Sequence, residues 1–230
     1  MRQANASADS DKETVRVSTD TEAAVRIGEY SRHGCSRGPV PVKASDHDMM
    51  VKQKLIPGGI LEILSGRAFL FFTESYKTSD FMVDGLLLWR NNRKEEPAYV
   101  KRLVINTDNG PGCGGRRTQF PNRLIEFVDK TGLIARPVYY PPYHSKYNAT
   151  ERYRAGPEKS RNGYLPESVN TVLNRAGNFA WKGIHAAVNL LRNVCEKGIR
   201  VCGNEKIQME KRLKRSERLP LYSFPISIVV

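Results

Sequence analysis

Three acidic residues stand where an active site would put them. Asp108 follows an apolar strand, Leu103-Val104-Ile105, and opens a glycine-rich loop. Glu151 stands at the start of a helix that follows a second strand, Ile134 to Tyr140. Asp20 ends the alternating run Val15-Arg16-Val17-Ser18-Thr19-Asp20, whose period of two places Arg16, Ser18 and Asp20 on one face. Carboxylates at strand ends and a helix start suit a hard divalent ion, and paired ions can clamp both oxygens of an in-line phosphoryl displacement. Each residue also has a plainer explanation. Asp108 lies in Asp-Asn-Gly, a common turn. Asn148-Ala149-Thr150-Glu151 is spaced like a capping box, and Asp20 could be a solvated strand end.

The elements around them follow from pattern. Val15 to Asp20, Ala24 to Tyr30 and Ala68 to Phe72 read as three successive strands, hence an antiparallel meander. Between the last two, glycines and prolines from Gly34 to Gly59 mark a long irregular excursion. Thr78 or Ser79 caps a helix running to Arg90. A strand over 102–107, a helix from about Thr118 to Lys130 stopped by Gly132, and the strand from Ile134 follow. Strand–helix–strand–helix order implies parallel pairing. The chain reads as helical from Glu167 to about Lys197, interrupted around Gly177-Asn178 and Gly183. The expected fold is therefore α/β, a mixed sheet flanked by helices. Residues 1–14 read as a disordered polar tail, 15–197 as one folded domain and 198–230 as a basic C-terminal extension.

Charge narrows the partners. Thirty-seven Lys and Arg against 24 Asp and Glu give net +13, which favours a polyanion because phosphate neutralisation releases counterions. Residues 197–218 alone hold eight Lys or Arg against three Glu. No stretch approaches a membrane span, so the cytoplasm is the expected location. Cys35, Cys113, Cys195 and Cys202 form no zinc spacing and read as reduced thiols. The loop from Gly110 to Gly115 mimics a phosphate loop, but Arg116-Arg117 replaces its Lys-Ser/Thr pair, so no nucleotide is expected. Arg116 and Arg117 could instead meet DNA phosphates at a helix start, as could His144 and Lys146 in the YYPPYHSKYN loop and Arg152. The tyrosines of that loop could stack on bases or pack the loop itself. Asp46-His47-Asp48 reads as a turn, with a separate metal cluster as the alternative.

The segments VSTDTEAAVRIGEYSRHG, SDHD, TSDFMVDGL, INTDNGP, RRTQF, YYPPYHSKYN with a following Glu-Arg, NGYL, WKGIH and EKRLKRSERLP resemble the catalytic domain of insertion-sequence transposases of the DDE superfamily, Rhodopirellula type. The likeness covers nearly the whole chain from about Val15. It implies an RNase H-like five-stranded mixed sheet with Asp20, Asp108 and Glu151 as catalytic, metal-binding residues. It also implies two Mg²⁺ ions, for which Mn²⁺ can substitute, and transposon-end and target DNA bound by a homo-oligomer. In that chemistry water cuts one transposon strand, and the freed 3′ hydroxyl attacks the target. Relatives carry a helix-turn-helix region before the first aspartate, whereas 19 residues precede Asp20, so the expectation is an N-terminally truncated transposase with impaired activity. Ala149 stands where relatives have proline, and Pro157 predicts a short or kinked helix after Glu151. The competing expectation is an inactive DNA-binding remnant.

Overall fold

Strand β1 (Thr14–Thr21) lies inside the sheet, and its two neighbours run in opposite senses. Antiparallel to it lies β3 (Gln53–Glu62), with Asp20 opposite Gly59. Parallel to it on the other side lies β5 (Arg102–Thr107), with Ser18 opposite Asn106. β4 (Ala68–Thr73) continues the meander beyond β3, and β6 (Ile134–Tyr139) continues the parallel half beyond β5. These five strands have the RNase H-like arrangement. Two strands are added to it: β2 (Val25–Ile27) pairs with β3, and β9 (Ala187–Leu191) runs parallel to β4 at the sheet's flank. This computed structural model describes residues 1–29, 35–36, 40–44, 53–93, 99–141, 148–153, 156, 164–217 and 220–227.

One face of the sheet is covered by α2 (Ser79–Asn92) and α3 (Gln119–Thr131). Thr78 caps α2 by accepting the Phe81 N–H, and Gly132 ends α3 in the left-handed conformation at φ 73°. Val17, Leu103 and Ile105 from the strands meet Phe81, Leu86 and Leu124 in the main core. The opposite face carries α1 (Arg2–Ser10), a helix α4 that begins at residue 149 and is described over 149–153, and α5 (Val169–Asn178). Ala8 of α1 packs on Val104 and Val138, and Tyr153 of α4 packs with Leu70, Phe72 and Val172.

Four expectations need correcting. The tail over 1–14 contains helix α1, although its sequence is polar. Docking holds it: Arg16 grips Asp9 with two hydrogen bonds of 2.7 and 2.6 Å, and Asn106 donates to Asn5. The second meander strand is β3, inside the stretch read as irregular. Gly58 is there for packing, because a Cβ on it, or on Gly85 of α2, would overlap the buried Phe71 ring. The helix expected from Glu167 to Lys197 is confined to α5. After it come a hairpin of β7 (Ala180–Trp181) and β8 (Ile184–His185), turned through Lys182 and Gly183 at positive φ, and then β9. Finally, residues beyond 198 are part of the core rather than an appendage. α6 (Gly203–Lys211) precedes a segment whose Phe224 and Ile226 are buried and whose Ser223 and Ile226 bridge to Val138 and Ala135 of β6. Among the described residues no helix is long and apolar enough to cross a membrane.

Candidate active site at the carboxyl end of the parallel strands

The register of β1 and β5 decides where two of the acidic residues fall. Paired positions are offset by 88 residues, as in Ser18 with Asn106, and Asp20 and Asp108 differ by the same 88. β5 ends at Thr107, so Asp108 is the first residue past the carboxyl end of the strand that runs parallel beside the one carrying Asp20, the end at which α/β sheets hold their ligands. Asp20 is half-buried and Asp108 exposed. Asp20 Oδ1 accepts the Thr21 N–H at 2.7 Å, and Oδ2 accepts the Asn148 side-chain amide at 2.7 Å.

Glu151 reaches the same end of the sheet because α4 is fastened to β1. Ser18 Oγ, fully buried, accepts the Thr150 N–H at 3.1 Å and the Thr150 hydroxyl at 2.6 Å. It also lies 2.7 Å from the Tyr140 hydroxyl and donates to Asn148 Oδ1 at 3.2 Å. The same Asn148 oxygen accepts the Glu151 N–H at 3.3 Å, which makes Asn148 the N-cap. Thr150 is buried against Gly59, the β3 partner of Asp20. Tyr140 accepts the Ala149 N–H, a donor that a proline at 149 would lack. Burial, with the Asp20 charge adding to it, pushes the Tyr140 phenol up to about 12.

The capping-box explanation of Glu151 is only half realised. Asn148 caps the helix, but among the described residues the Glu151 carboxylate makes no return bond, and it is exposed. Asp108 is differently placed. Its Oδ1 accepts the buried Cys113 thiol at 2.9 Å, and a Cβ on Gly110 would stand 2.7 Å from its Oδ2. Cys113 in turn accepts from Thr107, and burial together with the Asp108 charge pushes its thiol above the ordinary range. The structure thus links Asp20 to the Glu151 backbone through one side chain and leaves Asp108 just past the end of the neighbouring parallel strand. Among the described residues, no three Asp, Glu, His or Cys side chains converge as a ready-made metal cluster. The donor set nevertheless suits a hard dication, because all three candidates offer carboxylate oxygens from separate elements at one sheet end.

Arg116 and Arg117 are exposed before α3, and Arg152 is exposed one residue beyond Glu151. The loop from Gly110 spends its backbone on itself: Gly114 N–H bonds to Gly110 O, and Gly115 N–H to the Asn109 side chain. His144, Lys146, Asp46-His47-Asp48 and Pro157 lie outside the described residues. Sequence reasoning passed over Ser18, Thr150 and Cys113 as site residues and gave Tyr140 only the stacking or packing role of its loop. Ser18 carried a signal in its shared face with Asp20.

The fold so described is an RNase H-like mixed sheet with carboxylate residues at the ends of its strands. Residues 1–227 match the family described as Rhodopirellula transposase DDE domain, and the chain belongs to that family. Among solved structures, the HTLV-2 integrase catalytic core domain in complex with magnesium, in dimeric form, is similar at 14% identity and a TM-score of 0.39. The match covers 75% of this chain and 90% of that one. A simian T-cell lymphotropic virus intasome in complex with PP2A regulatory subunit B56 gamma is similar at 13% identity and a TM-score of 0.37, over 82% of this chain and 61% of that one. No curated protein matches the chain.

Proposed function

We propose that the protein cuts and rejoins DNA strands in transposition of an insertion sequence, with Asp20, Asp108 and Glu151 holding two Mg²⁺ ions, for which Mn²⁺ substitutes. The observation that supports this reading is the 88-residue offset of the β1–β5 register, which, continued two residues past the last printed pair, would bring Asp108 alongside Asp20. Bound dications would supply charge neutralisation on the scissile phosphate and activation of the attacking oxygen. The chain's own part would be to bring three carboxylates to one end of the sheet, two from strand ends and one from the first turn of α4. The exposed guanidinium groups of Arg116, Arg117 and Arg152 would meet DNA phosphates, which fixes the duplex without reading its sequence. A homo-oligomer on transposon-end DNA is the working form.

The test is nicking and strand transfer on DNA bearing the element's ends, in Mg²⁺ or Mn²⁺. Asp108→Asn keeps the far-ultraviolet circular dichroism of the parent and loses both reactions. Cleavage by this variant at the parent's rate would refute the assignment. DNA binding that weakens with salt, without cleavage by the parent under either ion, would select the inactive remnant instead.

A further inference from the structure

Asn148 is buried, and its amide is engaged at both ends. The oxygen accepts the Glu151 N–H at 3.3 Å and the Ser18 hydroxyl at 3.2 Å, while the nitrogen donates to Asp20 Oδ2 at 2.7 Å. The amide has only one acceptable orientation. A backbone N–H can only donate, so the oxygen must face Glu151 and the NH₂ must face Asp20. One planar group therefore spans the gap between the Asp20 carboxylate and the backbone that carries Glu151. Ser18 and Tyr140 fasten the next two amides of the helix, at Thr150 and Ala149, so the helix start cannot drift along β1.

We infer that Asn148 is a positioning residue: it sets the separation between the carboxylates of Asp20 and Glu151 and thereby tunes the site for a divalent ion. The inference rests on the metal-binding assignment proposed above. Asn148 itself holds neither ion nor DNA in this role. A capping role alone would be met by any good N-cap side chain. The bond to Asp20 needs a donor with the reach of the amide, which serine and threonine lack.

Asn148→Ser, Asn148→Thr, Asn148→Ala and Asp108→Asn separate the two roles in the full chain. Mn²⁺ binding is read from the electron paramagnetic resonance signal of the free ion, and thermal melting is followed without metal. Serine caps about as well as asparagine, so Asn148→Ser melts with the parent and Asn148→Ala melts lower. Both bind Mn²⁺ about tenfold more weakly, the usual scale for losing a group that orients a ligand. Asn148→Thr serves as the cap-competent variant if the serine variant melts low. If both melt as low as alanine, the amide serves helix stability rather than spacing, and the inference is overturned. Parent-like Mn²⁺ affinity in a cap-competent variant overturns it too, provided that Asp108→Asn has lost the ion. Should Asp108→Asn keep the ion, the active-site assignment itself fails.

Discussion

Replacing Ser18 with alanine tests whether one hydroxyl fastens the helix of Glu151 to the sheet. Ser18 Oγ has one proton and two lone pairs but four polar neighbours. The Thr150 N–H and hydroxyl occupy both lone pairs, and the proton is shared between Tyr140 and Asn148. Alanine leaves the Thr150 N–H without an acceptor at a fully buried position, a loss of about 1–3 kcal/mol for an orphaned donor. The hydroxyl bonds lost from Thr150 and Tyr140 add about 1 kcal/mol, since both groups can rotate toward other partners. A total of about 3 kcal/mol corresponds to a melting temperature roughly 10 °C lower for a chain of this length. Near-ultraviolet circular dichroism on the metal-free protein measures it. Thr150→Val keeps the shape and the backbone N–H while removing the hydroxyl, so it completes a double-mutant cycle. Its loss and that of Ser18→Ala should overlap by about 0.5 kcal/mol or more. A Ser18→Ala variant within about 0.5 kcal/mol of the parent, or two strictly additive losses, would refute the account.

Gly85→Ala should destabilise the protein although it lies inside a helix. The helix gains about 1 kcal/mol from alanine, but the new Cβ overlaps the buried Phe71 ring, an overpacking cost of about 1–3 kcal/mol. In a Phe71→Leu background the same change becomes neutral or stabilising, as urea unfolding will register. Alkaline pH should also weaken the fold. Above about pH 10 the unfolded chain releases a Tyr140 proton that the folded chain keeps until about 12, so the unfolded state binds fewer protons and stability falls across that window. Tyr140→Phe removes this titration and flattens the loss, measured as urea midpoints across that range; an unchanged slope would count against it.

The parallel half of the fold could be read from the chain because its signals are local. Leu103 to Ile105 is a short apolar run, Thr78 and Gly132 are standard helix ends, and the helix of α3 repeats at Leu124, Ile125 and Val128. Strand β3 could not be read this way. Pro57, Gly58 and Gly59 look like breakers, and only the three-dimensional neighbour, Phe71, explains why glycine is needed at position 58. Helix α1 was hidden for the converse reason. Its nine residues carry almost no apolar face, and its support comes from Arg16 and Asn106, remote in sequence. Strand β9 resembled a helix in composition, since Ala187 to Leu191 gains its pairing only from Phe69 to Thr73. At the site, the types of Asp20, Asp108 and Glu151 were visible, and so was the cap at Asn148. The bond from Asn148 to Asp20 was not, because no local pattern relates residues 128 apart.

The outermost long strands of the sheet are both met by other parts of the chain. β9 lies along β4, and Ser223 and Ile226 bridge to β6. A bare strand is the usual invitation for a second polypeptide to add itself edge to edge. β9 is itself the last strand on its flank, so a strand added there would meet β9 rather than β4. The chain as a whole carries net +13. Copies of a chain so charged repel one another, and a polyanion lying between them would offset that repulsion.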